Sequence, residues 1–415
     1  MITPPIQDEL DVLAVEELEE INNLLKEIMA SMMPAEVKVK SLAMLNRLKK
    51  LVKYGSFSKE FEPVEQYLSW ILKIPWNVYT SDNLDLNLAK AQLDKTHYGL
   101  EEVKERIMEY IAVLNLLSKQ DQNIAPIEKS PIITPQPLPV VNNPSVVAQT
   151  PTVVPQIAPE VPKSKLYSGN YRSKAPIICF VGVQGIGKTS IAKSIAAALG
   201  RKFNRIPLGG LADIRELRGV NKSEINAEPG QVIKSFIRTG VMNPLILLDE
   251  LDKVSAGGGV NADIMAALLE ILDPEQNASF TDHYLDFPVD LSKCVFIATA
   301  NNLGGISAAL LDRLEIIRMT SYTDDEKIHI ARDYLLPQTL DQCGLKNENF
   351  VFDEEVWPLI VRPFGFDAGM RQLERNLNQV VRKVAKRILV ENVPTYRVTP
   401  TNFREFFPQD IGVYS

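Results

Sequence analysis

One octapeptide constrains the fold of this 415-residue chain more than any other feature of its sequence. It matches the pattern G-x-x-x-x-G-K-[ST], follows the apolar run Ile177–Val181 and precedes a helical pattern over Ser190–Leu199. Glycines let such a loop curl until its backbone N–H groups face phosphate oxygens, and the helix N-terminus adds positive potential. The pattern therefore predicts a phosphate-binding turn between a strand and a helix. The candidate nucleotide-binding residues are Gly182, Val183, Gln184, Gly185, Ile186, Gly187, Lys188, Thr189 and the adjoining Ser190.

Four side chains in and beyond this loop predict the chemistry of the site. Lys188 can reach the β- and γ-phosphates of a nucleotide, and the Thr189 hydroxyl can ligate Mg²⁺. Further along, the apolar run Leu245–Leu248 ends in Asp249 and Glu250. The Asp249 carboxylate would complete the Mg²⁺ shell, and the Glu250 carboxylate would polarise an attacking water. A nucleotide with Mg²⁺ is therefore expected at this site, and the family resemblance described below implies that the nucleotide is ATP.

Three more polar side chains are weaker candidates when taken alone. Asn301 ends the apolar run that begins at Phe296, where its amide could position water or the γ-phosphate. Arg313 is suited to bidentate phosphate contact or to delivery to a neighbour's nucleotide, and a surface salt bridge is the equally open alternative. Arg371 begins a long amphipathic helix and could reach the same nucleotide, unless that face is simply solvated.

The hydrophobic pattern predicts an α/β protein with helical additions at both ends. Apolar runs at Ile177–Val181, Leu245–Leu248 and Val295–Ala300 alternate with helical segments, which is typical of a parallel sheet flanked by helices. From Asp324 to about Val390 the pattern is all helical and predicts a smaller lid domain. Between Leu10 and Val52 the pattern predicts an N-terminal helical arm packed on itself, with a coiled-coil contact between subunits as the alternative.

Ten of the 27 prolines fall between Pro126 and Pro162. Proline at this density removes backbone donors and fixes φ, so the stretch is interpreted as an extended linker. A docking motif for a proline-recognition module is the functional alternative. The expected organisation is a helical region at residues 1–90, a nucleotide-binding α/β domain at 91–120 and 173–320, a proline-rich insert at 121–172, and a lid at 321–410.

Composition and charge exclude several function classes. The 45 Lys and Arg against 52 Asp and Glu give a net charge of −7, which argues against a nucleic-acid partner. No apolar run of membrane-spanning length and no secretory leader are seen, so a cytoplasmic protein is expected. The three cysteines and three histidines lack metal-ligand spacing, which argues against structural zinc and disulfides.

A longer series of segments extends these motifs across most of the chain. The series comprises Arg205–Gly210, Arg218–Gly219, Leu247–Lys253, Leu268–Asn277, Asp282–Leu285, Ala298–Asn301 and Leu311–Glu315, preceded by Tyr67–Trp70, Ile74–Trp76 and His97–Lys104. Over about residues 15–118 and 173–410 the chain thereby resembles the ATPase module of Lon-type ATP-dependent proteases. The resemblance implies an AAA+ ATPase with an α/β core and a C-terminal helical lid.

The resemblance also implies roles for single residues and for the assembly. Asn301 would be the first sensor, Arg371 the second sensor, and Arg313 an arginine finger that acts on the adjacent subunit. The helix-preceding segment His97–Gly99, with Tyr98 at its centre, would lie near the adenine. An arginine finger acting in trans implies a ring, in this family usually a hexamer, that acts on unfolded or misfolded proteins.

The sequence departs from the family pattern in its loops. Gln184 stands where the family usually has proline, a change that keeps the backbone N–H groups of the phosphate loop. In the pore-facing loop, Glu224 replaces the aromatic member of an aromatic–aliphatic pair whose other member is Ile225. A ring of carboxylates there would repel acidic chains and offer little apolar grip. The second pore-facing loop, Ser255–Val260, is rich in glycine, and the proline-rich insert interrupts a join that is normally short.

The largest departure concerns the peptidase. About 25 residues follow Val390, and no Gly-Pro-Ser-Ala-Gly-like nucleophile segment occurs, so peptide hydrolysis by this chain alone is not expected. The family's N-terminal substrate-recruiting domain is also not found. The sequence therefore predicts a ring-forming ATP hydrolase that remodels or delivers proteins, with a peptidase on another chain as a candidate partner. The alternative is a nucleotide-gated adaptor or scaffold that has lost translocation.

Overall fold

The computed structural model describes residues 6–53, 61–122, 177–254, 260–362 and 369–406. Two of the expected features fall almost wholly outside these ranges. They are the proline-rich insert, apart from residues 121 and 122, and the glycine-rich second pore loop, apart from Val260.

The N-terminal arm consists of three helices, α1 (Ile6–Ala30), α2 (Ala35–Lys53) and α3 (Phe61–Lys73). The first two form a hairpin around Pro34, as predicted, and their periodic apolar residues Ile21, Ile28 and Leu45 are buried. The α3 helix fastens the arm to the rest of the molecule, since the Tyr67 hydroxyl donates to the carbonyl of Leu285 over 2.8 Å. The arm thus packs on itself and on the core within one chain.

The core contains seven described strands, which are β1 (Ile177–Val181), β2 (Phe203–Pro207), β3 (Leu245–Asp249), β4 (Phe280–Thr281), β5 (Pro288–Val289), β6 (Val295–Ala300) and β7 (Leu314–Arg318). Five of them form a parallel sheet at its centre, in the order β2-β3-β6-β1-β7. The other two, β4 and β5, form a separate antiparallel pair. The three strands predicted from apolar runs are the three inner strands.

The two edge strands of this sheet were not among the predicted strands. Most of the residues of β2 and β7 are only half-buried or exposed, including Arg205, Glu315 and Arg318. An edge strand needs to cover less core, so its sequence carries no continuous apolar run.

Helices cover both faces of the sheet. On one face, Phe180 and Leu247 pack with Leu93, Ile107 and Ile191 of three helices. The other face packs on the remaining core helices and on the arm. The core helices are α4 (Leu86–Thr96), α5 (Glu101–Gln122), α6 (Lys188–Ala198), α7 (Ile214–Arg218), α8 (Gln231–Thr239), α9 (Leu251–Val254), α10 (Val260–Leu272) and α11 (Ala308–Leu311). The expected division at residue 90 falls inside α4, which lies along α6.

The lid is mainly helical, as predicted, but it also contains a pair of strands, so the expectation of an all-helical lid is wrong in this respect. Two short strands, β8 (Phe350–Phe352) and β9 (Tyr396–Val398), form a parallel pair. They close over a core that contains Trp357, Leu377 and Phe406. The lid helices are α12 (Asp324–Ile330), α13 (Leu336–Gln342), α14 (Val356–Val361), α15 (Arg371–Glu391) and α16 (Phe403–Phe406). In the described part of the chain, no helix has the length and apolarity to span a membrane.

Candidate functional site

The candidate site lies at one edge of the sheet, where β3, β6 and β1 end side by side. Carboxyl ends of adjacent parallel strands meet at the same edge, so the segments that follow these strands converge. Together with the lid they enclose a cavity of about 270 Å³. The lining residues are Gln184, Gly185, Gly187, Lys188, Thr189, Ser190, Asp249, Glu250, Asn301, Arg371 and Glu374.

The phosphate loop adopts a backbone that requires glycine at two positions. Gly185 and Gly187 have φ values of +85° and +93°, in the left-handed region that side chains disfavour. Gly187 is also the N-cap of α6, which leaves the first N–H groups of that helix facing the cavity. Of the other loop residues, Ile186 is buried in the core and Val183 is exposed, and neither is among the residues that line the cavity.

Lys188 lies over the loop and links it to the end of β6. Its Nζ donates to the carbonyl of Gly182 at 2.5 Å, to that of Val183 at 3.0 Å and to the Asn301 Oδ1 at 3.0 Å. Burial lowers the pKa of Lys188, and the neighbouring carboxylates, first that of Asp249, oppose this shift. The ammonium is therefore held among oxygen acceptors at the mouth of the phosphate loop.

The acidic pair at the end of β3 is fixed by neighbours on both adjacent strands. Arg205 Nε on β2 donates to the Asp249 Oδ2 over 2.6 Å, and the Thr299 hydroxyl on β6 donates to the Asp249 Oδ1. The next residue, Glu250, turns out of the strand at φ +61° and its N–H donates to the Thr299 Oγ1 at 3.0 Å. Neither Arg205 nor Thr299 was identified as a site residue from the sequence.

Asn301 is held by a second carboxylate. Its backbone N–H donates to Asp252 Oδ1 at 3.0 Å, and its Nδ2 lies 3.4 Å from Asp252 Oδ2. The Oδ1 of the amide is thereby turned toward Lys188. Asp252 is buried in α9, three residues after Asp249. In the sequence, the only indication that Asp252 holds Asn301 was its place in the acidic segment Leu247–Lys253.

The lid contacts the backbone carbonyls of the phosphate loop. Met370 N donates to the carbonyl of Gly185 at 2.9 Å, and the Tyr322 hydroxyl donates to that of Ile186 at 2.9 Å. A Cβ on Gly369 would lie 2.5 Å from the carbonyl oxygen of Gln184. This close approach brings Arg371 and Glu374, at the start of α15, to the cavity. The second sensor expected from the sequence is thus brought to the loop.

The segment expected near the adenine, residues 97–99, adjoins the cavity through His97, but Tyr98 does not line the cavity. His97 is buried, and its Nε2 lies 3.0 Å from the Oγ of Ser190 on α6. Burial, with a further contribution from Lys104, lowers the pKa of His97 to about 4, so this histidine is neutral at pH 7. Tyr98 instead stacks on His329 of the lid, with ring centroids 4.9 Å apart.

Arg313 lies outside the lining of its own chain's cavity. Its guanidinium forms an ion pair of 3.0 Å with Asp273, just after α10. Asp273 also accepts from the N–H of Glu275 at 3.0 Å and from the amide of Gln276 at 2.8 Å. The hydrogen bond from the Glu275 N–H, with a smaller contribution from Arg313, holds the pKa of Asp273 below its usual range. The partner of Arg313 was not predicted.

Glu224 and Ile225 lie at a different place, in a groove of about 650 Å³ between the arm and the loop that carries them. Glu224 forms an ion pair of 3.1 Å with Arg215 of α7. Ile225 has 92% of its surface exposed. The loop thus presents one free aliphatic side chain beside a carboxylate that already has a partner.

The cavity fits the Mg²⁺-nucleotide that the family implies. A hydroxyl from Thr189 and a carboxylate from Asp249 are both in its lining, and oxygen donors of this kind are those that Mg²⁺ prefers. Positive charge comes from Lys188 of the phosphate loop and from Arg371 of the lid, which both line the cavity. The donor set therefore suits a triphosphate with its metal.

Comparisons with known proteins agree with this geometry. Residues 178–322 match the model of the ATPase family associated with various cellular activities (AAA), and residues 341–396 match that of the Lon protease AAA+ ATPase lid domain. The first match covers the sheet and its loops, and the second covers most of the lid.

Curated relatives are similar to nearly the whole chain. Lon protease 2 of Herpetosiphon aurantiacus is 37% identical over 396 residues, which are 95% of this chain and 42% of that protein. Lon protease 1 of Bacillus subtilis is 38% identical over 395 residues, 95% of this chain and 44% of that protein. Lon protease 2 of Thermus thermophilus is 41% identical over 349 residues, which are 84% of this chain and 38% of that protein. This chain spans about two fifths of the length of these relatives, and it contains an AAA domain followed by a lid domain of the Lon type.

Proposed function

We propose that the chain is a Mg²⁺-dependent ATP hydrolase that works in a ring on polypeptide substrates. The observation that supports it is the single cavity that gathers the phosphate loop, the ends of β3 and β6, and the lid. These groups come from distant parts of the chain, and nucleotide chemistry needs all of them together. The alternative of a chance glycine-rich turn accounts for none of that convergence.

The roles of the lining residues follow from their charges and positions. The loop N–H groups and Lys188 bind the phosphates, and Thr189 with Asp249 would hold the metal. Mg²⁺, when bound, neutralises charge on the phosphate oxygens. Glu250 accepts a proton from the attacking water, which Asn301 orients. Arg371 adds positive charge from the lid, so that the lid position depends on the nucleotide.

The assembly part of the proposal rests on Arg313. This arginine lies away from its own cavity and is only partly exposed, in a pair with Asp273. An arginine with this placement can contribute to hydrolysis only at the nucleotide of a neighbour, as expected for an arginine finger in trans. A closed ring, with six copies as the number typical of the family, gives each cavity one such neighbour.

The substrate part of the proposal is that unfolded or misfolded polypeptides pass the loop that carries Glu224 and Ile225. The exposed Ile225 can contact apolar side chains, and Glu224 disfavours acidic segments. The same proposal places the protein in the cytoplasm and gives it no nucleic-acid partner. A peptidase on a separate chain is a candidate partner.

Steady-state ATP turnover of the wild type and of Glu250→Gln tests the hydrolase. Glu250→Gln keeps the size of the side chain but removes the proton acceptor, so turnover should fall at least about tenfold while nucleotide still binds. Glu109→Gln, on the exposed side of α5, is the matched control and should hydrolyse ATP as the wild type does. Equal turnover in Glu250→Gln and the wild type would refute the assignment.

The second candidate function is a nucleotide-gated adaptor or scaffold, and Glu224 is the observation that favours it. In that case an unfolded protein, such as casein, would leave ATP turnover unchanged. If the ring instead moves chains, casein should stimulate turnover, and Glu224→Tyr should increase that stimulation by adding an aromatic contact. Parallel measurement of casein cleavage shows whether the chain alone has peptidase activity, which we expect to be absent.

A further inference from the structure

We propose that Thr299 is a positioning residue that fixes both acidic side chains at the end of β3. The inference rests on the proposed ATP hydrolysis and adds a residue to that site. Thr299 lies on β6, one residue beyond the last register pair between β3 and β6, Leu248 and Ala298. It is fully buried, so its hydroxyl has only protein groups as partners.

The single hydroxyl of Thr299 serves two neighbours at once. It donates its proton to the Asp249 Oδ1 and accepts the N–H of Glu250 at 3.0 Å. A hydroxyl has one donor and two acceptor positions, so the two bonds are compatible. The candidate metal ligand and the candidate general base are thereby linked through one oxygen atom.

The bond to Asp249 fixes the rotation of its carboxylate. Arg205 Nε holds the Oδ2 at 2.6 Å from the β2 side, and Thr299 holds the Oδ1 from the β6 side. With one of these partners removed, the carboxylate can turn about its χ2 angle, and a buried oxygen loses its donor. Loss of a buried partner costs more than the mean value of a hydrogen bond.

The bond to Glu250 fixes the direction of its side chain. Glu250 has φ +61°, a left-handed conformation that costs energy for a residue with a side chain. The Glu250 N–H bond to Thr299 opposes the relaxation of this turn. The turn is what directs the Glu250 side chain away from the strand and to the cavity lining. Thr299 thus acts through the two acidic residues and not on the substrate.

Two substitutions separate the hydroxyl from the shape of this side chain. Thr299→Val keeps the branched shape and removes both hydrogen bonds, whereas Thr299→Ser keeps the hydroxyl and removes only a methyl group. Thr339 offers a matched control, because it is also buried and its hydroxyl bonds to the carbonyl of Leu335 within the lid. Thr339→Val removes a buried threonine hydroxyl far from the acidic pair.

The experiment measures kcat and KM for ATP, the affinity of the ADP-bound chain for Mn²⁺ by electron paramagnetic resonance, and Tm. For Thr299→Val we expect kcat to fall about tenfold or more and Mn²⁺ affinity to weaken about tenfold, with KM within about threefold of the wild type. Thr299→Ser should restore both quantities to within about threefold. Thr339→Val should lower Tm without changing either.

Two results would overturn the positioning role of Thr299. One is a Thr299→Val protein whose kcat and Mn²⁺ affinity both stay within about twofold of the wild type. The other is a Thr299→Ser protein as impaired as Thr299→Val, which would indicate a packing role. Failure of the proposed hydrolysis is distinguishable, because it appears as absent turnover in the wild type, where the Mn²⁺ affinities of the variants still test Thr299.

Discussion

The nucleotide cavity and the loop at residues 222–227 belong to the same α/β core and are held in opposite ways. In the cavity, Asp249 and Lys188 each have two or more polar partners from different elements. In the loop, Glu224 has one exposed ion pair and Ile225 is 92% exposed. Buried polar groups depend on their partners, whereas exposed ones exchange them for water.

This difference bears on what a substitution costs in each region. Replacing Asp249, the buried carboxylate of the cavity, would leave the donors of Arg205 and Thr299 without their acceptor, at a cost of about 1–3 kcal/mol for a buried group. Gln184 at the cavity and Glu224 in the loop, which both depart from the family pattern, are exposed, so a substitution at either position costs little stability. Stability therefore constrains Asp249 more tightly than either exposed side chain.

The largest effect on nucleotide affinity, which would sharpen this contrast, is expected at Gly369. In Gly369→Ala the new Cβ would lie 2.5 Å from the Gln184 carbonyl oxygen and 2.8 Å from two backbone atoms of Gly185. Backbone cannot yield as a flexible side chain can, so the lid must move off the loop and lose the Met370 N–H bond. We expect nucleotide affinity, measured by titration of a fluorescent ATP analogue, to fall at least about tenfold.

Gly304→Ala is the matched control for Gly369→Ala. Its Cβ would come no closer than 3.7 Å, to the Asn302 Oδ1, and this glycine needs no positive φ. Nucleotide affinity should stay within about twofold of the wild type. Unchanged affinity in Gly369→Ala would mean that the lid does not depend on its contact with the loop.

An effect on stability, and not on nucleotide affinity, is expected from the pH dependence of His97. Its pKa is about 4 in the folded state and about 6.5 when unfolded, so the unfolded chain binds more protons between these values. Stability should therefore fall as pH drops from 6.5 to 4, by about 3 kcal/mol from this residue. Urea unfolding at several pH values, comparing the wild type with His97→Gln, measures this contribution as the difference between the two proteins.

The comparison uses the slopes with pH and not the absolute stabilities, which separates the titration of His97 from any packing cost of the substitution. An identical slope in His97→Gln and the wild type would contradict the burial of a neutral His97 beside Ser190.

The smallest effect is expected in the exposed loop. Glu224→Gln removes the charge that pairs with Arg215, and solvent screens pairs of this kind. The free energy of unfolding should change by less than about 0.5 kcal/mol, which chemical denaturation can measure against the wild type. A loss of about 2 kcal/mol or more would break the comparison, since it would show that the loop is fixed as firmly as the cavity.

Much of the site could be predicted from local sequence, for physical reasons that are visible in the structure. The phosphate loop needs glycine wherever φ is positive, and the inner strands need continuous apolar runs because both of their faces are covered. The position of Asn301 followed from the strand it ends. By contrast, β2 and β7 are edge strands without such runs, and β8 with β9 is too short to interrupt a helical pattern.

The sequence by itself determined the chemistry of this protein: a phosphate loop, two carboxylates, an amide and two arginines in an α/β chain with a helical lid. Only the tertiary structure decided which groups hold these side chains in place. It pairs Arg313 with Asp273 and stacks Tyr98 on His329, and it places Asp249 between two hydrogen-bond donors, Arg205 and Thr299. Local patterns specify residue types and strand ends, whereas a hydrogen bond requires a distance that only the packed fold sets.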